Sequence, residues 1–313
     1  MDLDVFFAGT GGSVPTARRG MPALLVRRGG DKLLFDCGEG TQRQLVRSVG
    51  LPEVDEVLLT HFHADHWLGL PGMLKTFDLR DRERPLTVRG PRGLRELMKV
   101  MQRAVYGRVR YELTIEEMEP GAEVRRDGYT LAAVGVEHRI PALAWVLWED
   151  ERPGEFDAVE AERLGVAPGP DFGRLQRGEA VGEVRPDQVV GPARAGRKLV
   201  VSGDTAPSDS LRVAAHGADV LIHEATFTEE ERERAVQTGH STAGDAAGLA
   251  RDAEVRLLAL THLSTRYGGR EIRDEARAVF ERTVVPRDFD AIEIPFPERG
   301  EPRLVRWEEP VST

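Results

Sequence analysis

"EVLLTHFHADHWLGLPG", residues 56–72, decides how this chain is read. A short apolar run, which reads as a buried strand, stops at His61. His61, His63, Asp65 and His66 then fall within six residues. In extended chain, residues two apart face the same way, so His61 and His63 project together. Asp65 and His66 are adjacent, and a turn can aim them at a neighbouring point. No packing requirement calls for three histidines and an aspartate in so short a span, whereas imidazole and carboxylate suit zinc, with manganese or iron as alternatives. Three more residues of ligand type share the same context. His138 ends "LAAVGVEH", Asp204 ends "LVVSGD" and His262 ends "LLALTH". A lone histidine at a strand end is ordinarily a packing or capping residue. Beside the 61–66 cluster these three read as ligands, because strand ends gather along one edge of an α/β sheet, where ligands bind. If one aspartate bridges two ions, the seven residues complete two four-ligand sets with room for water. Two ions about 3.5–4 Å apart suit phosphate-ester hydrolysis.

Working outward, strands alternate with helices in both halves of the 313 residues, which indicates an α/β fold. "TQRQLVRSVGL" reads as a helix that Thr41 caps. "HWLGLPGMLKTFDLRDRE" reads as a helix disturbed early by Pro71 and Gly72. "RGLRELMKVMQRAV" has apolar periodicity near 3.6. Residues 151–196 are rich in glycine and proline with little apolar periodicity, and read as an inserted, partly flexible arm rather than a second core. The expectation is therefore a single domain over 1–313 carrying that arm at about 151–196. Hydrophobic residues make up 40% of the chain, enough for a sizeable core, and no run of 18 apolar residues implies a membrane span. The N-terminus shows no basic, then apolar, leader. Cys37 is the only cysteine, which excludes an internal disulfide. These features point to the cytoplasm. The net charge of −10 argues against a protein coated by nucleic acid, though not against a local basic patch.

"HFHADH" matches the HxHxDH motif of the metallo-β-lactamase superfamily. With "FDCGEGTQRQL", "SGDT", "HEATF" and "GHSTA", the chain resembles the ribonuclease Z family of tRNA 3′ endonucleases over nearly its whole length. That resemblance implies a four-layer αββα sandwich, a zinc-dependent endonuclease with two Zn2+ per chain (Mn2+ or Fe2+ as alternatives), a precursor tRNA substrate and a homodimer. It places one ion on His61, His63, His138 and Asp204, and the other on Asp65, His66, Asp204 and His262. It makes Asp65 the proton acceptor and sets His240, in "GHSTA", at the scissile phosphate or leaving oxygen. Glu224 would then orient His240, while His223 reads as structural and His216 as a surface or helix-end residue. Residues 164–181 look like the family's exosite for the tRNA elbow, with Arg174, Arg177, Arg185, Arg194, Arg197 and Lys198 in or just after it. The family's Pro-x-Lys-x-Arg-Asn loop keeps Pro15 and Arg19 here, but has Ala17 and Gly20 for its Lys and Asn. Two other readings stand beside this one: a phosphodiesterase of the same fold acting on a small substrate, and a non-catalytic RNA-binding member.

Overall fold

The computed structural model describes residues 2–308, so both ends of the expected 1–313 domain lie outside the described residues. Among them run fifteen strands. The first six are β1 (Leu3–Gly9), β2 (Ala23–Arg28), β3 (Asp31–Phe35), β4 (Glu56–Leu58), β5 (Leu86–Gly90) and β6 (Leu113–Glu117). Next come β7 (Glu123–Arg126), β8 (Tyr129–Gly135), β9 (Leu143–Glu149), β10 (Lys198–Val201), β11 (Val220–Glu224), β12 (Leu257–Thr261) and β13 (Thr283–Val284). The last two are β14 (Ala291–Glu293) and β15 (Arg303–Val305). They form one sheet in the order β15-β14-β1-β2-β3-β4-β5-β6 and a second in the order β13-β12-β11-β10-β9-β8-β7.

The strands are apolar on both faces because each sheet is covered twice. In β1, Leu3, Val5 and Phe7 pack toward the second sheet, while Phe6 and Ala8 join the cluster under the helices. In β9, Leu143, Trp145 and Leu147 share the inter-sheet core, while Ala144 and Val146 pack against the other helical layer. Alternation of period two sorts these side chains, so the layering is helix, sheet, sheet, helix. The expected αββα sandwich is the fold found. At the rim, Glu149 is buried in the company of two arginines: Arg28 Nε and Arg197 Nη2 donate to its Oε1 at 2.8 and 2.7 Å.

Three local expectations are corrected. The helix at 41 begins after Gly40 in the left-handed region (φ 84°), and the Thr41 hydroxyl donates back to the Gly38 carbonyl at 2.8 Å rather than capping. The expected helix from residue 66 is two helices, Ala64–Trp67 and Leu70–Leu79. Pro71 sits in the first turn of the second, where an N–H has no helical partner. The arm, between β9 and β10, holds helices Ala158–Arg163 and Pro170–Gln176 around a small apolar cluster of its own: Ala161, Val166, Leu175, Val184 and Val189.

Candidate metal centre

Strand direction assembles the site. β10, β11 and β12 are parallel, and β9 is antiparallel both to β10 and to β8. The C-terminal ends of β8, β10, β11 and β12 therefore share one edge, bringing His138, Asp204, Glu224 and His262 together. β4 delivers His61 from the other sheet. Leu143 N donates to Thr60 O at 2.9 Å and Trp145 Nε1 to Leu59 O at 3.2 Å, which fixes the end of β4 to the second sheet. Gly203 (φ 61°) permits the approach, since a Cβ there would meet Thr60 Cβ at 2.7 Å.

Ligand atoms of His61, His63, His138 and Asp204 lie within 4.8 Å of one another, as do those of Asp65, His66 and His262. Asp204 Oδ2 stands between the groups, 3.6 Å from His61 Nε2, 3.4 Å from His66 Nε2 and 3.3 Å from His262 Nε2. His63 Nδ1 is 3.0 Å from His61 Nε2 and 3.2 Å from His138 Nε2. His262 Nε2 is 3.4 Å from Asp65 Oδ2. A tetrahedral ion with ligands at about 2.0–2.1 Å sets neighbouring ligand atoms about 3.3 Å apart. The separations match that edge. His66 Nε2 and Asp204 Oδ1 are buried without a hydrogen-bond partner, as atoms awaiting a cation are. In spacing and donor chemistry the cluster fits a metal ion.

The partners of the outer ring nitrogens determine where the protons sit. His66 Nδ1 faces the Asp36 carboxylate at 2.7 Å and His138 Nδ1 faces the Gly239 carbonyl at 2.7 Å; both partners only accept, so both nitrogens carry hydrogen. Thr60 Oγ1 donates to Asp36 Oδ2 at 2.9 Å, so it accepts from His61 Nδ1 at 3.0 Å. Thr226 Oγ1 donates to Glu224 Oε2 at 2.5 Å, so it accepts from His262 Nδ1 at 2.8 Å. In four rings, therefore, Nδ1 is engaged by an outer partner and Nε2 is the nitrogen turned to the site, able to offer its lone pair to a cation. Burial, then the neighbouring imidazoles, hold His61 well below its ordinary pKa. Burial works against the charge of Asp65, Asp204 and Glu224, yet the surrounding histidines hold all three below their ordinary values, Asp65 and Asp204 well below.

His262 adopts φ 57°, an uncommon conformation for a non-glycine residue, at the rim of the site. Ser13 N donates to Asp65 Oδ2 at 2.8 Å, fastening the 12–19 loop to the centre. His240 Nδ1 meets Glu224 Oε1 at 2.7 Å and lies 3.9 Å from Asp204 Oδ2. The nitrogen nearer the ligands is thus taken by Glu224, and Nε2 has no hydrogen-bond partner among the described residues. Burial opposes charge on His240, but Glu224 outweighs it and lifts the pKa to about 9. His223 is buried with Nδ1 on the Glu224 carbonyl at 2.7 Å, and His216 is exposed at the end of helix Asp209–Ala215.

Sequence reasoning gave no role to Asp36, Thr60 or Thr226, although Asp36 lies in the "FDCGEG" segment. Among the arm cations, Arg197 is corrected: it is 2% exposed and bound to Glu149, so it is closed to RNA. Arg174, Arg177 and Arg185 are exposed and Arg194 is half-buried, each beside a carboxylate. Lys198 is half-buried and donates to the His216 carbonyl.

Residues 21–240 match the family model described as the metallo-beta-lactamase superfamily. The ribonuclease Z of Methanosarcina acetivorans is 43% identical over 301 residues, spanning 94% of this chain and 99% of its own. That of Halobacterium salinarum is 46% identical over 306 residues, spanning 95% and 99%. The solved structure of human tRNase Z, short form, superimposes with a TM-score of 0.69 at 27% identity, covering 93% of this chain and 99% of the human one. The chain belongs to the metallo-beta-lactamase superfamily and, within it, to the ribonuclease Z family.

Proposed function

We propose that this chain is a zinc-dependent endoribonuclease that removes 3′ trailers from precursor tRNA and leaves a 3′-hydroxyl on the tRNA. The observation that carries the reading is the pair of ligand groups joined through Asp204, in a chain of the ribonuclease Z family. His61, His63, His138 and Asp204 would hold one ion, and Asp65, His66, His262 and Asp204 the other. Bound zinc supplies Lewis-acid activation of water and of the scissile phosphate.

The chain's own groups do the rest. Asp65, oriented by the Ser13 N–H, accepts the proton of the attacking water. The water oxygen bonds to phosphorus and the bond from phosphorus to the 3′ oxygen breaks. His240 Nε2 delivers a proton to that 3′ oxygen, and Glu224 on Nδ1 keeps the ring charged and aimed. The trailer departs with a 5′-phosphate.

The arm at 151–196 would grip the tRNA away from the cut. It springs from the end of β9 and the start of β10, the edge opposite the ligands. A substrate held there and cut at the metals must span the molecule or two copies of it, which supports a homodimer. The proposed compartment is the cytoplasm, on the single cysteine. No helix among the described residues is long and apolar enough to cross a membrane.

The test is metal analysis together with cleavage of precursor tRNAs, with and without CCA, and mapping of the ends. The parent should carry two ions per chain and cut at the tRNA 3′ end. His63→Ala should lose metal and cleavage together. Full occupancy and activity in that variant would remove the ligand assignment.

A further inference from the structure

The charge of this chain is uneven. Against a net charge of −10 overall, residues 92–110 hold six cations and one carboxylate, Glu96. Arg92, Arg95, Lys99 and Arg103 follow at intervals of three, four and four residues, so they form one stripe along helix Leu94–Met101 and the turn that continues it, Gln102–Tyr106. All four are exposed. Arg92, Arg95, Arg103 and Arg108 make no ion pair among the described residues, whereas Arg110 is held by Asp78 and Asp81.

The stripe borders a groove of about 450 Å3 between this helix and β6, the outermost strand of its sheet. Arg95, Lys99 and Arg108 line it, over a floor that includes Met98, Leu113 and Ile115. Its upper end lies toward the sheet edge at which β4 delivers His61. β5 and β4 are parallel, so β5 ends at the ligand edge, and the helix starts there and runs back along the sheet. Glu117 Oε1 accepts from Gly93 N at 2.9 Å and Arg95 N at 3.0 Å, fixing this start. A Cβ on Gly93 would lie 3.5 Å from the ring of Phe62, which stands between His61 and His63.

A cationic stripe about 12 Å long from Arg95 to Arg103, beside an apolar floor, fits a single RNA strand, whose phosphates meet the cations while its bases face the floor. We propose that this groove holds the single-stranded 3′ trailer as it leaves the metal centre; the inference rests on the proposed tRNA 3′ cleavage. The arm lies at the opposite end of the second sheet, so the two surfaces would hold the two parts of the precursor that the cut separates.

The experiment compares the parent with the triple variant Arg95→Gln, Lys99→Gln, Arg103→Gln on precursor tRNAs of increasing trailer length. KM of the parent should fall about tenfold as the trailer grows from one nucleotide to about six, with kcat unchanged. The variant should lose that dependence, and the slope of log affinity against log salt should flatten by about 2, near 0.7 for each lost phosphate. Hydrolysis of bis(p-nitrophenyl) phosphate and the sedimentation coefficient should not change. The inference is overturned if parent KM ignores trailer length, or if the variant keeps the dependence. It is overturned equally if the variant loses affinity for trailer-free tRNA to the same degree, which would assign the groove to the tRNA body. A change in oligomeric state would make the stripe a subunit interface. A parent that cuts no tRNA at all would sink the proposed function itself, a separate outcome.

Discussion

Asp36→Asn tests the proton arrangement that readies the centre for a cation. Asp36 Oδ1 accepts from Thr60 N at 2.8 Å, while Oδ2 faces His66 Nδ1 at 2.7 Å. Asparagine can keep only one acceptor. If its oxygen stays on the Thr60 N–H, its amide presents hydrogens to a ring nitrogen that also carries one. His66 must then move its hydrogen to Nε2, the atom aimed at Asp65 and Asp204, or turn out of line. Loss of such an outer partner lowers metal affinity about 10–100-fold, or about 1.4–2.7 kcal/mol. The loss should fall on the ion shared by Asp65, His66 and His262, and leave the ion at His61, His63 and His138 within a few-fold of the parent. Chelator competition, with metal per chain read by mass spectrometry, resolves the two. Asp36→Ala should do the same and in addition strand the buried Thr60 N–H, at about 1–3 kcal/mol of folding stability. Two ions held by Asp36→Asn with parental affinity would refute the assignment of the ring hydrogens, and with it the argument that Nε2 is the bare nitrogen.

Glu224→Gln removes the charge that lifts His240, so the alkaline limb of the kcat–pH profile should move to lower pH while metal content stays near two per chain; an unmoved limb would separate His240 from the proton transfer. Glu149 is opposed by burial, but Arg197 and Arg28 hold it below its ordinary 4.5. Its contribution to stability is therefore fully present above that value and lost as pH falls from 4.5 through the lower folded value. Glu149→Gln should flatten the stability curve in that window and cost about 3 kcal/mol or more at neutral pH, because two buried guanidinium groups lose their counter-charge; denaturant titrations across pH measure both. Replacement of residues 168–186 by a short Gly/Ser linker should cut precursor-tRNA processing sharply while any hydrolysis of bis(p-nitrophenyl) phosphate survives. Equal loss of both would give the arm a structural role instead.

The ligands were legible because metal chemistry demands a few residue types, and because His61, His138, Asp204 and His262 each follow an apolar run that the strand pattern places at one edge. Of the layering, the alternation of strands and helices made only an α/β fold legible; the four layers followed from the family resemblance, and runs such as "VFFAG" agree with a sheet covered on both faces. The residues that hold the ligands were not. Asp36, Thr60 and Thr226 act through single hydrogen bonds to rings distant in sequence, and nothing local distinguishes a threonine that accepts from an imidazole from any other. The cap at Thr41 failed because Gly40 takes a left-handed conformation that the Thr41 hydroxyl does not report. The arm's small core was missed because Ala161, Val166, Leu175, Val184 and Val189 come from short helices and turns with no common period. Arg197 resembled its neighbours in composition, and only the fold buries it.

The arm, residues 151–196, carries six cations against nine carboxylates, and each of its arginines stands in an ion pair. A body with that balance does not draw a polyanion from a distance. If it grips tRNA, each phosphate must displace a carboxylate already bound, as at Arg174, which touches both Asp171 and Glu179. Exposed pairs of this kind contribute only about 0–1 kcal/mol each, so the exchange is inexpensive, yet it yields little net attraction. Recognition by the arm then depends on shape, and an RNA of similar charge but different fold should not compete. Long-range attraction has to arise elsewhere, and the exposed stripe of Arg92, Arg95, Lys99 and Arg103 beside the metal loop is placed to supply it. Salt should therefore weaken the contribution of the stripe far more than that of the arm. With the arm replaced, the residual binding should keep nearly the whole salt dependence of the parent; with the stripe neutralised, most of that dependence should go. The reverse pattern, read from the same binding series, would show that the arm's arginines leave their carboxylates in solution and act as free cations.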